Sequence, residues 1–152
     1  MAYSTVPFSM KGTTIAISAA APATEDATGY AALTYTDIGE VLDMGTVAKE
    51  SELITYATVA DGITKKLKGT INYGSITVEI AKLLGDAGQV LVTAAQAATA
   101  NYSFEITLQD GTVVYFQGKI MTDGFDLGDV NSMTGGSFSI EVDSTWVQVE
   151  PS

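Results

Sequence analysis

Three aspartates at every third position, Asp123, Asp126 and Asp129, stand beside Gly124 and Gly128 in a segment with the composition of a calcium loop. Calcium is held by many oxygens, and the helix-loop-helix calcium site supplies them from alternate positions with a closing bidentate Glu. A spacing of three misses that pattern, and no Glu closes the segment. A cation at these residues therefore competes with a plainer reading, an acidic surface loop whose Asp side chains cap turns. Gly135-Gly136 is followed by no Lys and no helix, so it is read as a bend before a strand rather than a phosphate cradle.

Catalytic chemistry of the common kinds has no carrier. The chain contains no Cys and no His, and all seven of its bases are Lys. Serine-histidine and cysteine-histidine nucleophiles, zinc sites built on Cys or His, disulfides and thiol redox are excluded with those residues. Without Arg there is no planar fork for bidentate binding of phosphate or carboxylate. Eighteen Asp and Glu against seven Lys leave a formal charge of −11, whereas affinity for nucleic acid comes mainly from cations that replace counterions on phosphates. So many acids make some carboxylate pair inevitable, so a glycosidase-like pair carries no signal. Trp146 and the Tyr residues read as core rather than as a sugar platform. No enzyme, metal or cofactor is expected.

One acidic pattern is more regular. Glu79 lies among Ile76, Val78 and Ile80; Glu105 among Tyr102, Phe104, Ile106 and Leu108; Glu141 among Phe138, Ile140 and Val142. Period-two alternation marks half-buried strands, so each Glu falls on the polar side, opposite the core. If the three strands share a sheet, one of its faces carries acids amid Thr, Ser and Gln. Such a face is either ordinary solvated surface or one that must stay wet and repel polyanions.

Those strands belong to a chain of 152 residues, the size of one domain with a real core. Hydrophobic residues make up 46% and charged ones 16%, the latter below the roughly 25% of average domains, which suits a β-rich protein with large protein-protein contacts. Residues 1–10, with Pro7 and no steady period, are expected to form an arm that needs a partner surface, and residues 11–150 a single domain. Strands are predicted over 11–20, 33–38 and 41–47, with a loop at 22–30. Residues 48–68 mix apolar and polar side chains without period, hold the Asp61-Gly62 turn and cluster Lys65, Lys66 and Lys68. A segment of that length without firm structure is usually functional, so an interaction loop is expected there. Its lysines are either solvated or set on an anionic contact.

After Gly85, Asp86 is placed to N-cap a helix that ends near Ala98, residues 86–98 in all, with Val90, Leu91, Ala94, Ala95 and Ala98 on its apolar face and Gln89 elsewhere. Asp110-Gly111 turns strand 102–108 into return strand 112–121, and Trp146, Val147 and Val149 close the last strand. The fold class is mainly β, a β-sandwich or partly closed barrel of about eight strands with one flanking helix. No apolar run approaches the roughly 18 residues of a membrane span. Residues 15–23 alternate as a strand rather than as a signal peptide, so synthesis inside the cell, with no membrane partner, is expected.

The order of these features resembles the tail tube (major tail) proteins of long-tailed bacteriophages. Lys11-Gly12-Thr13-Thr14 opens a strand, followed by Tyr35-Thr36-Asp37-Ile38-Gly39-Glu40-Val41 and Asp43-Met44-Gly45. A long loop, residues 69–82 and the Gly85-Asp86-Ala87-Gly88-Gln89 helix start come next, then Tyr102-Ser103-Phe104-Glu105-Ile106, Asp110-Gly111-Thr112 and Phe116-Gln117-Gly118-Lys119-Ile120. The likeness spans residues 11–149. It implies a structural virion protein whose homohexameric rings stack into a hollow tube, the phage DNA passing through the lumen without specific binding. The tape measure protein and tail terminator and tip proteins are the further partners it implies.

By the same resemblance, residues 46–68 contact the adjacent ring, with Lys49, Glu50, Glu52, Tyr56, Asp61, Lys65, Lys66 and Lys68 as stacking candidates. The arm and residues 147–152 lie at subunit or ring contacts, and the helix from Asp86 lies toward the outside. Glu79, Glu105 and Glu141 are the lumen-lining candidates, since a wall of acids gives phosphate no counterion-release gain. The related tube of contractile secretion systems and a monomeric β-sandwich binding module are the alternatives.

Overall fold

Successive side chains of a strand point to opposite faces, so the alternating segments divide the molecule before any packing is considered. A computed structural model describes residues 2–151; Met1 and Ser152, the outer ends of the two expected terminal contacts, lie outside the described residues. In chain order the elements are β1 (Thr14–Ser18), α1 (Ala27–Ala31), β2 (Thr36–Asp37), β3 (Val41–Asp43), β4 (Glu50–Ala57), β5 (Thr64–Asn72), β6 (Ser75–Ala81), α2 (Ala87–Ala97), β7 (Tyr102–Thr107), β8 (Val113–Asp126), β9 (Gly135–Val142) and β10 (Val147–Val149). Eight strands form one antiparallel sheet in the order β2-β1-β7-β8-β9-β6-β3, with β10 added beside the start of β8; β4 and β5 pair only with each other. The sheet curls into an open half-barrel, the partly closed barrel of the expected architectures.

Ile15, Ile17, Ile76, Val78, Ile80, Phe104, Phe116, Ile120, Phe138 and Ile140 meet on one face of this sheet, joined by Val92 and Ala95 of α2. Phe104 and Phe116 sit directly opposite in register, with ring centres 5.3 Å apart and 16° from parallel. Both are buried, and each ring contributes roughly 2–3 kcal/mol by leaving water. Asp86 caps α2 as its type predicts: its carboxylate accepts from Gln89 N at 3.0 Å and also from Gly39 N at 3.1 Å.

The helix is rotated from the expected face. Gly88, Gln89, Val92 and Ala95 are buried, while Val90 is exposed and Leu91 only half-buried. A Cβ on Gly88 would lie 2.2 Å from the Asp37 carbonyl oxygen, so the first turn is pressed against β2. That contact turns Gln89 inward, onto the sheet, instead of outward.

Several segments differ from their sequence expectation, among them the strand expected over 41–47, of which only Val41–Asp43 forms. Residues 48–68 are not a structureless loop but most of a β-hairpin, because Ala57 and Thr64 bracket a turn and seven residue pairs connect β4 to β5. Residues 33–38 contribute only the two-residue β2, and the stretch 22–30 holds α1, capped by Asp26, whose carboxylate accepts from Gly29 N at 2.7 Å. Gly135 and Gly136 begin β9 rather than bend before it; a Cβ at Gly136 would come within 2.6 Å of Gly124 O, so glycine permits that close pairing. The return strand β8 runs on to Asp126 through a bulge at Met121. The extra residue inverts the side-chain parity, which puts Asp123 opposite Phe138 on the core face. There it accepts from Thr93 Oγ1 at 2.8 Å, which ties α2 to β8, and from Lys82 Nζ at 2.9 Å, which ties the end of β6 to β8 through an ion pair whose side chains are only 8% and 13% exposed.

Candidate functional site

Directly opposed residues of an antiparallel ladder share a face, so register places the three candidate glutamates. Glu105 opposes Tyr115; Glu141 opposes Lys119 and Ser75; Glu79 opposes Ser137 and Asp43. Traced across the sheet, all three lie on the face away from the core. Glu79 and Glu141 are exposed there among Ser75, Thr77, Ser137 and Ser139. Lys119 is on the same face, but its ammonium bonds Asn101 at 2.6 Å and Asp143 at 2.8 Å. That ammonium and the Asn101 amide hold the Asp143 carboxyl below its usual range.

Glu105 has different surroundings. Tyr30 stacks on Tyr115 at 5.5 Å, Tyr35 lies 6.0 Å from Tyr115, and this aromatic layer roofs the β7 and β8 part of the face. Burial raises the Glu105 carboxyl above the usual range, opposed by hydrogen bonding from Tyr115 and reinforced by the charge of Asp37. Burial and Glu105 likewise push the Tyr35 hydroxyl well up. An acid with a raised folded pKa gives stability that is present below its unfolded value and lost as pH climbs through the raised one. Glu105→Gln removes the charge and keeps an acceptor for Tyr115. It should melt higher than the unchanged chain at pH 7 and lose that advantage near about pH 4; an equal or lower Tm at pH 7 would show that the carboxylate is not held at a cost.

The hairpin formed by β4 and β5 carries the other candidates. Every residue of β4 is exposed, and so is every residue of β5 except Gly69. Ile54 pairs with Leu67 and Tyr56 with Lys65 on one face; Leu53 pairs with Lys68 and Thr55 with Lys66 on the other. Apolar side chains thus stand on both faces with nothing beneath either. A lone two-stranded ribbon is marginal in water, and its two open edges invite a further strand or a covering surface.

The polar candidates mostly serve the hairpin itself. Asp61 accepts from Lys65 Nζ at 3.2 Å and from the Thr58 hydroxyl, which lower its carboxyl, and Glu52 accepts from Thr70 at 3.3 Å. Lys49 stands 5.9 Å over the Tyr73 ring. Glu50 is at the hairpin base, opposite Asn72, and no ion pair engages Lys66 or Lys68 among the described residues.

The aspartate series resolves into turns and one ion pair. Asp126 accepts from Gly128 N at 3.2 Å, Asp129 from Asn131 N at 2.9 Å and Ser132 Oγ at 3.1 Å, and Asp123 is taken by Lys82. Among the described residues no group of three or more metal-binding side chains converges. A groove of about 630 Å³ opens between Leu42, Phe125 and Met133, with Glu79 and Asp126 in its walls. The loop above it exposes Leu127, Val130 and Met133. Leu53, Ile54 and Leu67 of the hairpin escaped sequence reasoning because a strand apolar on both faces shows no alternation, and Val59, Ile63 and the three loop residues because a turn or loop carries no period. Among the described residues no helix is long and apolar enough to cross a membrane.

No protein-family model matches the chain, and no curated protein matches it in sequence. Solved structures do. A chain of the anti-feeding prophage baseplate superposes with a TM-score of 0.68 at 9% identity, covering 97% of this chain and 98% of that one. A chain of the SPP1 tail tube gives 0.64 at 14% identity, covering 95% and 80%. A chain from the tail of a gene transfer agent particle, with C6 symmetry, gives 0.62 at 13% identity, covering 88% and 92%. The chain shares the fold of these proteins almost end to end, with little sequence in common.

Proposed function

We propose that the chain is the repeating subunit of a tail tube: copies close into hexameric rings, and the rings stack into the hollow conduit of a virion tail through which DNA is delivered. The observation that carries this reading is a fold shared over nearly the whole chain with the SPP1 tail tube and with chains of six-fold particles. The exposed hairpin supports it, since heterologous contacts between unlike surfaces build rings where the rotation closes and stacks where it does not. The role is structural rather than enzymatic. The tape measure protein would occupy the lumen before DNA, and terminator and tip proteins would close the ends. A tube subunit of a contractile injection system is the second reading, favoured by superposition on a chain of the anti-feeding prophage baseplate and on a chain of the sheath/tube terminator structure of an extracellular contractile injection system.

On this reading residues 46–68 meet the adjacent ring, and the open part of the carboxylate face, with Glu79 and Glu141, lines the lumen; the aromatic roof gives Glu105 to packing instead. Electron microscopy of concentrated protein at varied salt should show six-membered rings and tubes. Single subunits at every concentration, by microscopy and by sizing, would sink the proposal. Replacing Glu79 and Glu141 with Lys should leave tubes intact but make them retain DNA, by adding cations that gain from counterion release. Tubes that remain indifferent to DNA would take these two residues out of the lumen.

A further inference from the structure

Two exposed apolar elements, the β4–β5 hairpin and the β8–β9 loop, stand at opposite ends of one strand. The hairpin leaves the sheet at Ser75, where β6 begins. The β8–β9 loop is fastened where β6 ends: Ala81 pairs with Gly135, and Lys82 N donates to Thr134 O at 2.9 Å. Six residue steps along β6 separate them by about 20 Å. The hairpin as a whole is balanced, with Glu50, Glu52 and Asp61 against its three Lys, but its β5 strand and the loop are opposite in charge. Strand β5 carries Lys65, Lys66 and Lys68 with no acid, while residues 123–134 carry Asp123, Asp126 and Asp129 with no base outside the ion pair to Lys82. Each sets its charges beside large exposed side chains: Leu53 on the hairpin face that carries Lys66 and Lys68, and Leu127, Val130 and Met133 on the loop.

From this we infer that the β8–β9 loop, with the groove rim at Phe125, is the acceptor for the hairpin of a second copy of the chain, Lys66 and Lys68 meeting Asp126 and Asp129 while Leu53, on the same face of the hairpin, covers apolar side chains of the loop. The inference rests on the tube reading above and gives its stacking contact a specific partner. Two features select a second copy as the occupant: Lys66 and Lys68 complement Asp126 and Asp129 in charge, and the donor and the acceptor are held apart at the two ends of β6 on one subunit. A contact between opposite poles is heterologous, so each copy that docks presents a fresh hairpin or a fresh loop, and the series extends without closing on itself. Lys65 is left out of the contact because Asp61 of the same hairpin already holds it.

The chain contains no cysteine, which makes the contact directly readable. Lys66→Cys and Val130→Cys on the same chain should, under mild oxidation of assembled tubes, give a ladder of covalent multimers in denaturing gels, because every copy carries one donor and one acceptor. Val130 is 95% exposed and bonded to nothing that folds the loop. Either cysteine alone should stop at dimers. Charge reversal gives the second arm: K66E/K68E and D126K/D129K should each lower tube mass by about tenfold or more, and the two together on one chain should restore much of it, since like charges across a contact are strongly disfavoured and swapped charges are not.

Normal tubes with no ladder overturn the docking while leaving the tube reading in place. No recovery in the doubly reversed chain, with folding intact by circular dichroism, also overturns it. If the unaltered chain forms no assembly at all, the tube reading falls and the docking with it.

Discussion

Removing residues 50–68 and bridging the gap with two glycines is expected to abolish tube growth while leaving the sheet folded. None of the residues that build the core lies in that span; Val47 and Tyr73, which flank the hairpin and pack on the core, remain. Every residue of β4 and all but Gly69 of β5 are exposed, so the deletion takes away little buried surface. The melting temperature should move by no more than about 4 °C, corresponding to roughly 1 kcal/mol for a chain of this size. Sedimentation and electron microscopy should go from abundant tubes to single rings or subunits. Tubes of normal length from the shortened chain would refute a stacking role. A chain that no longer folds would show instead that the hairpin belongs to the core of the domain.

The second large effect is internal. Gln89, 2% exposed, accepts from Leu83 N at 2.8 Å and donates to Gly39 O at 3.1 Å and Ala81 O at 3.0 Å. One side chain thus satisfies three backbone groups from the strand end, the link to α2 and the turn before β3. Gln89→Leu preserves volume and leaves those groups unpaired, at about 1–3 kcal/mol for each that water cannot reach. A loss of about 3–5 kcal/mol in urea unfolding is expected, enough to threaten a domain of ordinary stability. A change under about 1 kcal/mol would mean that water takes over the three bonds. Because β3 and the start of α2 are held through this residue, the variant should also assemble poorly even at temperatures where it remains folded.

The sheet was legible because its strands have one wet face and one dry one. Ile76, Val78 and Ile80 or Phe138, Ile140 and Val142 announce their strands by alternation, and Asp110-Gly111 and Asp86 announce a turn and a cap from residue type alone. The shared face of Glu79, Glu105 and Glu141 followed from the same alternation once the three strands proved to lie in one sheet. What the sequence hid has physical causes. The hairpin has no dry face within the subunit, so Leu53 to Tyr56 show no period. Gln89 looks like a solvent residue because its partners are backbone groups that no residue type announces, one of them, Gly39 O, brought from 50 residues away. The roof over Glu105 is made by Tyr30 and Tyr35, whose segment crosses the sheet at a place that spacing along the chain does not encode. The parity switch at Met121 depends on one inserted residue, and no residue type marks it.

The solitary hairpin has one more consequence, for kinetics. An element that is only marginally ordered by itself must be immobilised by the first contact it makes, and ordering a segment on binding consumes roughly 2–5 kcal/mol of the interaction. Two free subunits meeting by chance gain a single such contact and separate. A completed ring offers several acceptors at fixed spacing, so that once one hairpin has seated, its neighbours find theirs at high effective concentration. Growth from an existing end is then fast, whereas starting a new tube is slow. On the tube reading, concentrated subunits therefore assemble only after a lag, and added tube ends shorten that lag and determine where the polymer begins.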